Sequence, residues 1–250
     1  MNYLYNAQFN SIELRGYDNP ETPRPWDLTA KIISYCLNHR NKLLDIGCGN
    51  AKKLLPLSSH FKEIIAFDIN KNMIESAIET IKNNKKYNIR LVQGDSNTLP
   101  FPSNTFDVVT CILSRWNIKE IARVLKPGGI VIIEHIGSED KKEFKILFGK
   151  DSKGWRGQFI GYQRKSYLFH YFELFFDIFN IVSIENGYWQ TYYTEEGLLQ
   201  LLKFTPTIRN FDIIKDRKAL DKAIARMNTP HGILLTQNRI LIYAKNIWHS

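Results

Sequence analysis

The segment "LLDIGCGNAKKL", Leu43 to Leu54, is what most restricts the folds open to this 250-residue chain. A short apolar run ends in an acid, Asp45, and glycines follow at alternate positions, Gly47 and Gly49. The pattern recurs: "EIIAFDIN" ends near Asp68 and "IRLVQGD" ends at Asp95, while "FDVVTCIL" and "GIVIIEHIG" are further apolar runs. Segments of helical period lie between them. "NKNMIESAIETIKNN" has Asn70 or Asn72 as its N-cap, "IKEIARVL" is stopped by Pro127, Gly128 and Gly129, and "AKKLLPLSS" starts a helix that Pro56 disturbs. Apolar strands alternating with helices specify βαβ units, hence a parallel sheet covered on both faces with right-handed crossovers.

In such a sheet, ligands bind at the carboxyl ends of the strands, where a glycine turn lets them approach the backbone. A dinucleotide site asks for G-x-G-x-x-G and a pyrophosphate on a helix N-terminus. Here the pattern is G-x-G-x-A, with Asp45 two residues before the first glycine. That acid repels a pyrophosphate and suits a cationic amine or hydroxyls. Three acids at successive strand ends fit a nucleoside carrying an amino-acid tail.

The remainder of the chain has a different texture. Residues 1–25 read as an irregular arm with Pro20, Pro23 and Pro25, and "WDLTAKIISYCLNH" reads as a helix. Past residue 138 come a long aromatic helix ("RKSYLFHYFELFFDIF"), a strand-like run ("NIVSIENGYWQTYY"), a helix capped by Thr194, another helix ("DRKALDKAIARM") and one or two closing strands ("GILLTQNRILIYAK"). The formal net charge is +9, and residues 141–165 hold eight basic and two acidic residues, a local +6. Such a stretch suits an anionic partner such as RNA, or is a solvated lysine-rich surface. Cys36, Cys48 and Cys111 stand apart, which excludes a disulfide framework or zinc knuckle, so no metal and a cytoplasmic location are expected. No apolar run suggests a membrane span, and the N-terminus lacks the pattern of a signal peptide.

"DIGCGNA", "AFDIN", "GDSNTLPFPSNTFDVV" and "EIARVLKPGGIVIIE" together resemble class I S-adenosylmethionine-dependent methyltransferases, over roughly residues 40–136. The resemblance implies a Rossmann-like, doubly wound, mostly parallel seven-stranded sheet with an antiparallel C-terminal strand. It also implies S-adenosylmethionine as cofactor and S-adenosylhomocysteine as product. Carried over, Asp45, Gly47, Cys48 and Gly49 form the loop against the methionine part, and Asp68 grips the ribose hydroxyls. Asp95 and Ser96 cap the adenine edge, and Ile69 and Asn97 flank the ring. The segment Cys111 to Trp116, including Leu113, passes near the sulfonium. Two departures stand out: Ala51 replaces the third glycine, and the stretch from Phe106 to Arg123 is shorter than the family pattern. The chain then divides into an arm and helix (1–40), a cofactor-binding core (41–137), a basic and aromatic insertion or lid (138–178) and a C-terminal part of the same sheet (179–250).

Catalytic candidates follow from position. His135, after Glu134 at the end of the fifth strand, is eligible as a base, and Arg115 and Trp116 lie in the shortened segment. His170 reads as packed in an apolar helix and His231 as a turn residue. Trp26, Tyr3, Tyr5 and Tyr17 either cap a ligand or pin the arm. Trp155, Arg156, Arg164 and Lys165 interleave aromatics with charge, as a base-stacking surface or as a lid over a small molecule. Three functions remain open: methylation of an O or N nucleophile of a small molecule; methylation of an rRNA or tRNA base; and cofactor binding without catalysis. "LLQLLKFTPTIRNF" resembles the tail of ribosomal RNA guanine-N1 methyltransferases, whose zinc-binding cysteines have no counterpart here. The intact Asp45, Gly47, Gly49, Asp68 and Asp95 speak against the binding-only reading.

Overall fold

The computed structural model describes residues 16–161 and 164–247, with the side chains of residues 164–167 outside that description. Contacts group the chain into two compact units. The larger comprises Trp26–His135, Leu168–Glu185 and Ile240–Ser250; the smaller comprises the chain up to Pro25, Ile136–Tyr167 and Asn186–Arg239.

The larger unit is built on parallel strands β2 (Lys42–Ile46), β3 (Glu63–Asp68), β4 (Ile89–Gln93), β5 (Phe106–Ile112) and β6 (Leu125–Ile136). Their order in the sheet is β6-β5-β2-β3-β4. β2 pairs parallel with both β3 and β5, β3 with β4, and β5 with β6. The runs are continuously apolar because both faces are covered: Ile64, Val108, Val109 and Ile130 to Ile133 are all buried. Helix α1 (Leu28–Tyr35) starts at Asp27, whose carboxylate accepts the Ala30 N–H. α2 (Lys71–Asn83) starts at Asn70, which settles that choice of cap, and buries Met73, Ala77 and Ile81 along one stripe. α3 (Ile118–Val124) is capped by Asn117. The helix expected in "AKKLLPLSS" does not form beyond the single turn Lys52–Leu54, because Ala51 sits at a left-handed φ of 60° and Pro56 has no N–H to continue the ladder.

Beyond β6 the strand order continues with β11 (Gly232–Asn246) and then β9 (Phe179–Tyr193). "GILLTQNRILIYAK" is therefore one strand. Among the described residues the sheet has nine strands where seven are expected from sequence. The two extra strands have two residues each: β1 (Tyr17–Asp18), antiparallel to β9, and β10 (Asn228–Thr229), antiparallel to β11. The arm is thus not wholly irregular. Backbone groups at Tyr17 and Asp18 find partners on the edge of β9, a pairing that no apolar alternation announces.

The smaller unit packs α6 (Glu195–Phe204, capped by Thr194) and α7 (Arg217–Met227) around Phe144, Leu198, Leu220 and Leu235. It also contains α4 (Lys142–Lys145), a two-stranded ribbon of β7 (Lys150–Asp151) with β8 (Gly154–Trp155), and the start of α5 (Arg164–Phe175). Part of the basic stretch is not surface, although Lys142, Lys150 and Lys153 are exposed. Lys141 and Lys145 are buried, and both ammonium groups reach Asp140, which also pairs with Arg239. Burial by itself would raise the Asp140 carboxyl, but Lys141, Arg239 and Lys145 outweigh it and hold it far below its ordinary range. Burial pushes Lys141 down to about 8. Arg156 donates from both Nη1 and Nη2 to Asp216, at 2.6 and 2.8 Å. Among the described residues, no helix is long and apolar enough to cross a membrane.

Removing one partner from such a buried cluster strands the others. Asp140→Asn is expected to cost at least ~3 kcal/mol. Urea unfolding checks this, and a loss below 1 kcal/mol would show the two lysines to be solvated or paired elsewhere.

Candidate functional site

The site is assembled at the carboxyl ends of β2, β3, β4 and β5, all in the larger unit. Asp45 is 1% exposed. Its Oδ1 accepts the Thr110 hydroxyl at 2.7 Å from the register neighbour on β5, and its Oδ2 has no hydrogen-bond partner. Lys53 Nζ lies 3.6 Å from that Oδ2 and donates to the Gly47 carbonyl at 3.1 Å. Burial pushes the Asp45 carboxyl up, against the opposing pull of Lys53. A small cleft beside Asp45 is lined by Thr29, Ile32, Lys53, Leu54 and Thr110.

The turn after β2 needs its glycines for different reasons. Gly47 has φ 76°, and a Cβ there would sit 2.2 Å from Ser114 Cβ. Ser114 in turn donates to the Ile46 carbonyl at 2.6 Å, which ties the segment after β5 onto the end of β2. Gly49 has φ 56°, and a Cβ there would meet nothing within 4 Å, so backbone is presented to open space. The Gly47 and Cys48 N–H groups both donate to the Phe67 carbonyl. The Cys48 side chain is buried in the core, and its thiol donates to the Gly49 carbonyl at 3.4 Å. Burial raises the pKa of all three cysteines, which makes them packing residues.

Asp68, half-buried at the end of β3, accepts the Gly49 N–H on Oδ2 and the Asn70 N–H on Oδ1, both at 2.9 Å. Each carboxylate oxygen has two lone pairs, so each keeps one for a further donor. That is the capacity needed for two vicinal hydroxyls. Ile69, next to it, is 65% exposed. Asp95 lies two residues past the end of β4 rather than on it. It is exposed, and its Oδ1 accepts the Asn97 N–H, which shapes the turn holding Ser96. Leu113, just past β5, is 49% exposed and held at φ 54°, an outlier for a bulky residue, by its N–H bond to the Glu134 carbonyl. Exposed Ile69 and Leu113 supply apolar surface beside the carboxylates, as a purine and a thioether require.

The catalytic candidates separate. His135 receives a partner that sequence did not suggest: the Tyr171 hydroxyl lies 2.7 Å from its Nδ1. Arg115 is exposed, while Trp116 packs edge-on against Phe175 at 6.0 Å. His170, expected to be packed, is exposed, because α5 turns its Tyr171 and Phe175 faces inward instead. His231 is in the β10–β11 turn. Trp26 is not an exposed ligand cap: it is 6% exposed, in the core, and its indole N–H donates to Glu134 at 3.0 Å. Tyr17 is 68% exposed, and Tyr3 and Tyr5 lie outside the described residues. Trp155 lies under Lys150, and the Arg164 and Lys165 side chains fall outside the description. Sequence reading missed Thr110, Lys53 and Tyr171. Thr110 had a visible signal, as a polar residue within the apolar strand "FDVVTCI"; Lys53 and Tyr171 had none, since each acts through a contact across the fold.

The residues present fit the cofactor that the sequence resemblance implies. A buried carboxylate oxygen without a hydrogen bond suits a cationic amine, and a half-satisfied carboxylate at a strand end suits a ribose. Residues 44–133 match the family described as "Methyltransferase domain". The chain is 34% identical over 122 residues to an uncharacterized methyltransferase, YcgJ, of Bacillus subtilis, covering 46% of this chain and 48% of that protein. It is 36% identical over 118 residues to a demethylmenaquinone methyltransferase of Staphylococcus saprophyticus, covering 43% and 50%. In these matches the chain spans about half the length of the curated relatives. The fold is similar to the crystal structure of YcgJ from Bacillus subtilis, with a TM-score of 0.64 at 20% identity over 88% of this chain and 98% of that one. Residues 44–133 are therefore similar to a methyltransferase domain, and the fold is similar to that of YcgJ.

Proposed function

We propose that this protein transfers the methyl group of S-adenosylmethionine to an oxygen or nitrogen nucleophile of a small-molecule acceptor. The observation that carries this reading is the row of Asp45, Asp68 and Asp95 at or just past the ends of three adjacent parallel strands, beside a turn that bares its backbone at Gly49. The bound cofactor supplies an electrophilic methyl group on a sulfonium. The chain's own work is binding and orientation, which is where most of the advantage in an in-line displacement lies. Asp68 holds two hydroxyls, and Asp45 with the Gly47 carbonyl holds an ammonium. Leu113 and Ile69 give apolar walls. His135, whose ring is tied through Nδ1 to the Tyr171 hydroxyl at 2.7 Å, is the residue to accept an acceptor proton.

A small acceptor is favoured over RNA by the fate of the basic stretch. Lys141, Lys145 and Arg156 are taken up by Asp140 and Asp216, which leaves a weaker field for a phosphate backbone. Demethylmenaquinone methyltransferases are among the relatives, and that quinone, methylated on a ring carbon, is the acceptor to try against the oxygen or nitrogen reading.

The acceptor is tested with methyl-labelled S-adenosylmethionine and fractions of cell extract, and separately with demethylmenaquinone, whose labelling would replace the oxygen or nitrogen nucleophile by a ring carbon. Label in small extractable material is expected; ribonuclease-sensitive label would overturn the acceptor class. Asp68→Ala removes two charge-assisted hydrogen bonds of roughly 1.5–3 kcal/mol each, so calorimetry is expected to show at least ~10-fold weaker binding of S-adenosylhomocysteine. Unchanged affinity would misplace the site. Asp45→Asn is expected to weaken the same binding while raising the melting temperature at pH 8. The sign follows from the raised carboxyl: between the ordinary carboxylate range and the raised value the folded chain holds a proton that the unfolded chain has released, so stability falls as pH rises through that window. The advantage of Asn over Asp should therefore shrink as the pH is lowered, and a lower melting temperature for Asp45→Asn at pH 8 contradicts the assignment.

A further inference from the structure

We infer that the Lys53 side chain and the α-ammonium of the cofactor are alternative occupants of one cradle, so that the cofactor enters only as this lysine leaves. The inference rests on the cofactor reading above. Its ground is that the cradle already holds an ammonium. Lys53 Nζ donates to the Gly47 carbonyl at 3.1 Å and stands 3.6 Å from Asp45 Oδ2. These are the carbonyl and carboxylate that a primary ammonium on an amino-acid tail would use, at the end of the site where the glycine turn bares backbone.

Two ammonium groups do not fit there together. Asp45 Oδ1 accepts from Thr110 and Oδ2 has no hydrogen bond, on a side chain only 1% exposed, so a second ammonium would have to enter beside the first away from solvent. The adjoining cleft holds about 20 Å³, room for little more than a water. Like charges at such separation, sharing one buried carboxylate, repel strongly in a low dielectric. The lysine has a way out. It stands on the single turn Lys52–Leu54, and its side chain is 29% exposed while that of Asp45 is 1% exposed, so the stem reaches solvent when the head is released. In the absence of ligand Lys53 shields a buried carboxylate whose charged form is costly. With ligand, the incoming ammonium takes over that task. Lys53 thereby sets selectivity: it penalises a nucleoside bearing an amino-acid tail and leaves a nucleoside without one unaffected.

Calorimetry on the full chain and on Lys53→Met, with S-adenosylhomocysteine and with 5′-deoxy-5′-methylthioadenosine, tests this. Lys53→Met is expected to bind S-adenosylhomocysteine at least ~10-fold more tightly and methylthioadenosine within about twofold of the parent. Weaker binding of S-adenosylhomocysteine by Lys53→Met would make Lys53 a partner of the ligand's carboxylate and overturn the inference, as would equal shifts for both ligands. If neither nucleoside binds either protein, the cofactor reading itself falls and this inference with it. A second measurement needs no variant. Amine acylation of the unmodified protein, read by mass spectrometry at Lys53, is expected to speed up with S-adenosylhomocysteine and stay unchanged with methylthioadenosine. Protection of Lys53 by S-adenosylhomocysteine overturns the exchange.

Discussion

A carboxylate taken almost wholly out of water is expensive, and the Asp45 carboxylate at the end of β2 is held in that condition by everything around it. Thr110 satisfies one oxygen from the neighbouring strand, and Lys53 stands off the other. Burial costs several kcal/mol per ion in proteins, so such a group persists only where its charge is used. Here the use is electrostatic. On the reading proposed above, an acid in this position rejects a pyrophosphate and selects a cation; the cation that stands beside it is Lys53. The same group that makes the site specific therefore strains the fold.

Around that carboxylate, backbone geometry does the rest. Ser114 reaches over to the Ile46 carbonyl, and that closeness leaves no space for any side chain at position 47. The left-handed conformations of Gly47, Gly49, Ala51 and Leu113 cluster at the carboxyl ends of β2 and β5. Two of the four are residues that dislike it, and backbone strain of this kind is kept where a ligand is handled. The shortened segment after β5 is compact enough to be anchored by one serine and one Leu113 N–H bond to Glu134. It then reaches the Asn117 cap of α3 without the longer wall that the family pattern leads one to expect.

The smaller unit solves a different problem with the same physics. Its buried Asp140 serves Lys141, Lys145 and Arg239, so cations that look like a docking surface on paper are internal struts. Charge counted along a chain is a statement about composition. Which charges face solvent depends on partners far away in sequence, here Asp216 for Arg156 and Gln237 for Lys141.

The order of strands and helices from residue 42 to 136, the N-caps at Asn70 and Thr194, and the row of strand-end acids were all legible in the chain, because they rest on local periodicity, capping chemistry and glycine conformation. So was the placement of Asp45, Asp68, Gly47 and Gly49 on one edge of the sheet, since parallel strands put all their carboxyl ends on the same side. Tertiary structure decided what depends on meetings between distant residues. It buried Trp26 against Glu134, put Tyr171 on His135, turned His170 outward, and added Tyr17 and Asp18 to a sheet edge. It replaced the helix after β2 by one turn, and so brought Lys53 to the carboxylate at the end of β2. Sequence alone fixes which groups are available and in what local geometry. Only packing fixes which of them are desolvated together, and it is desolvation that gives a charge its strength.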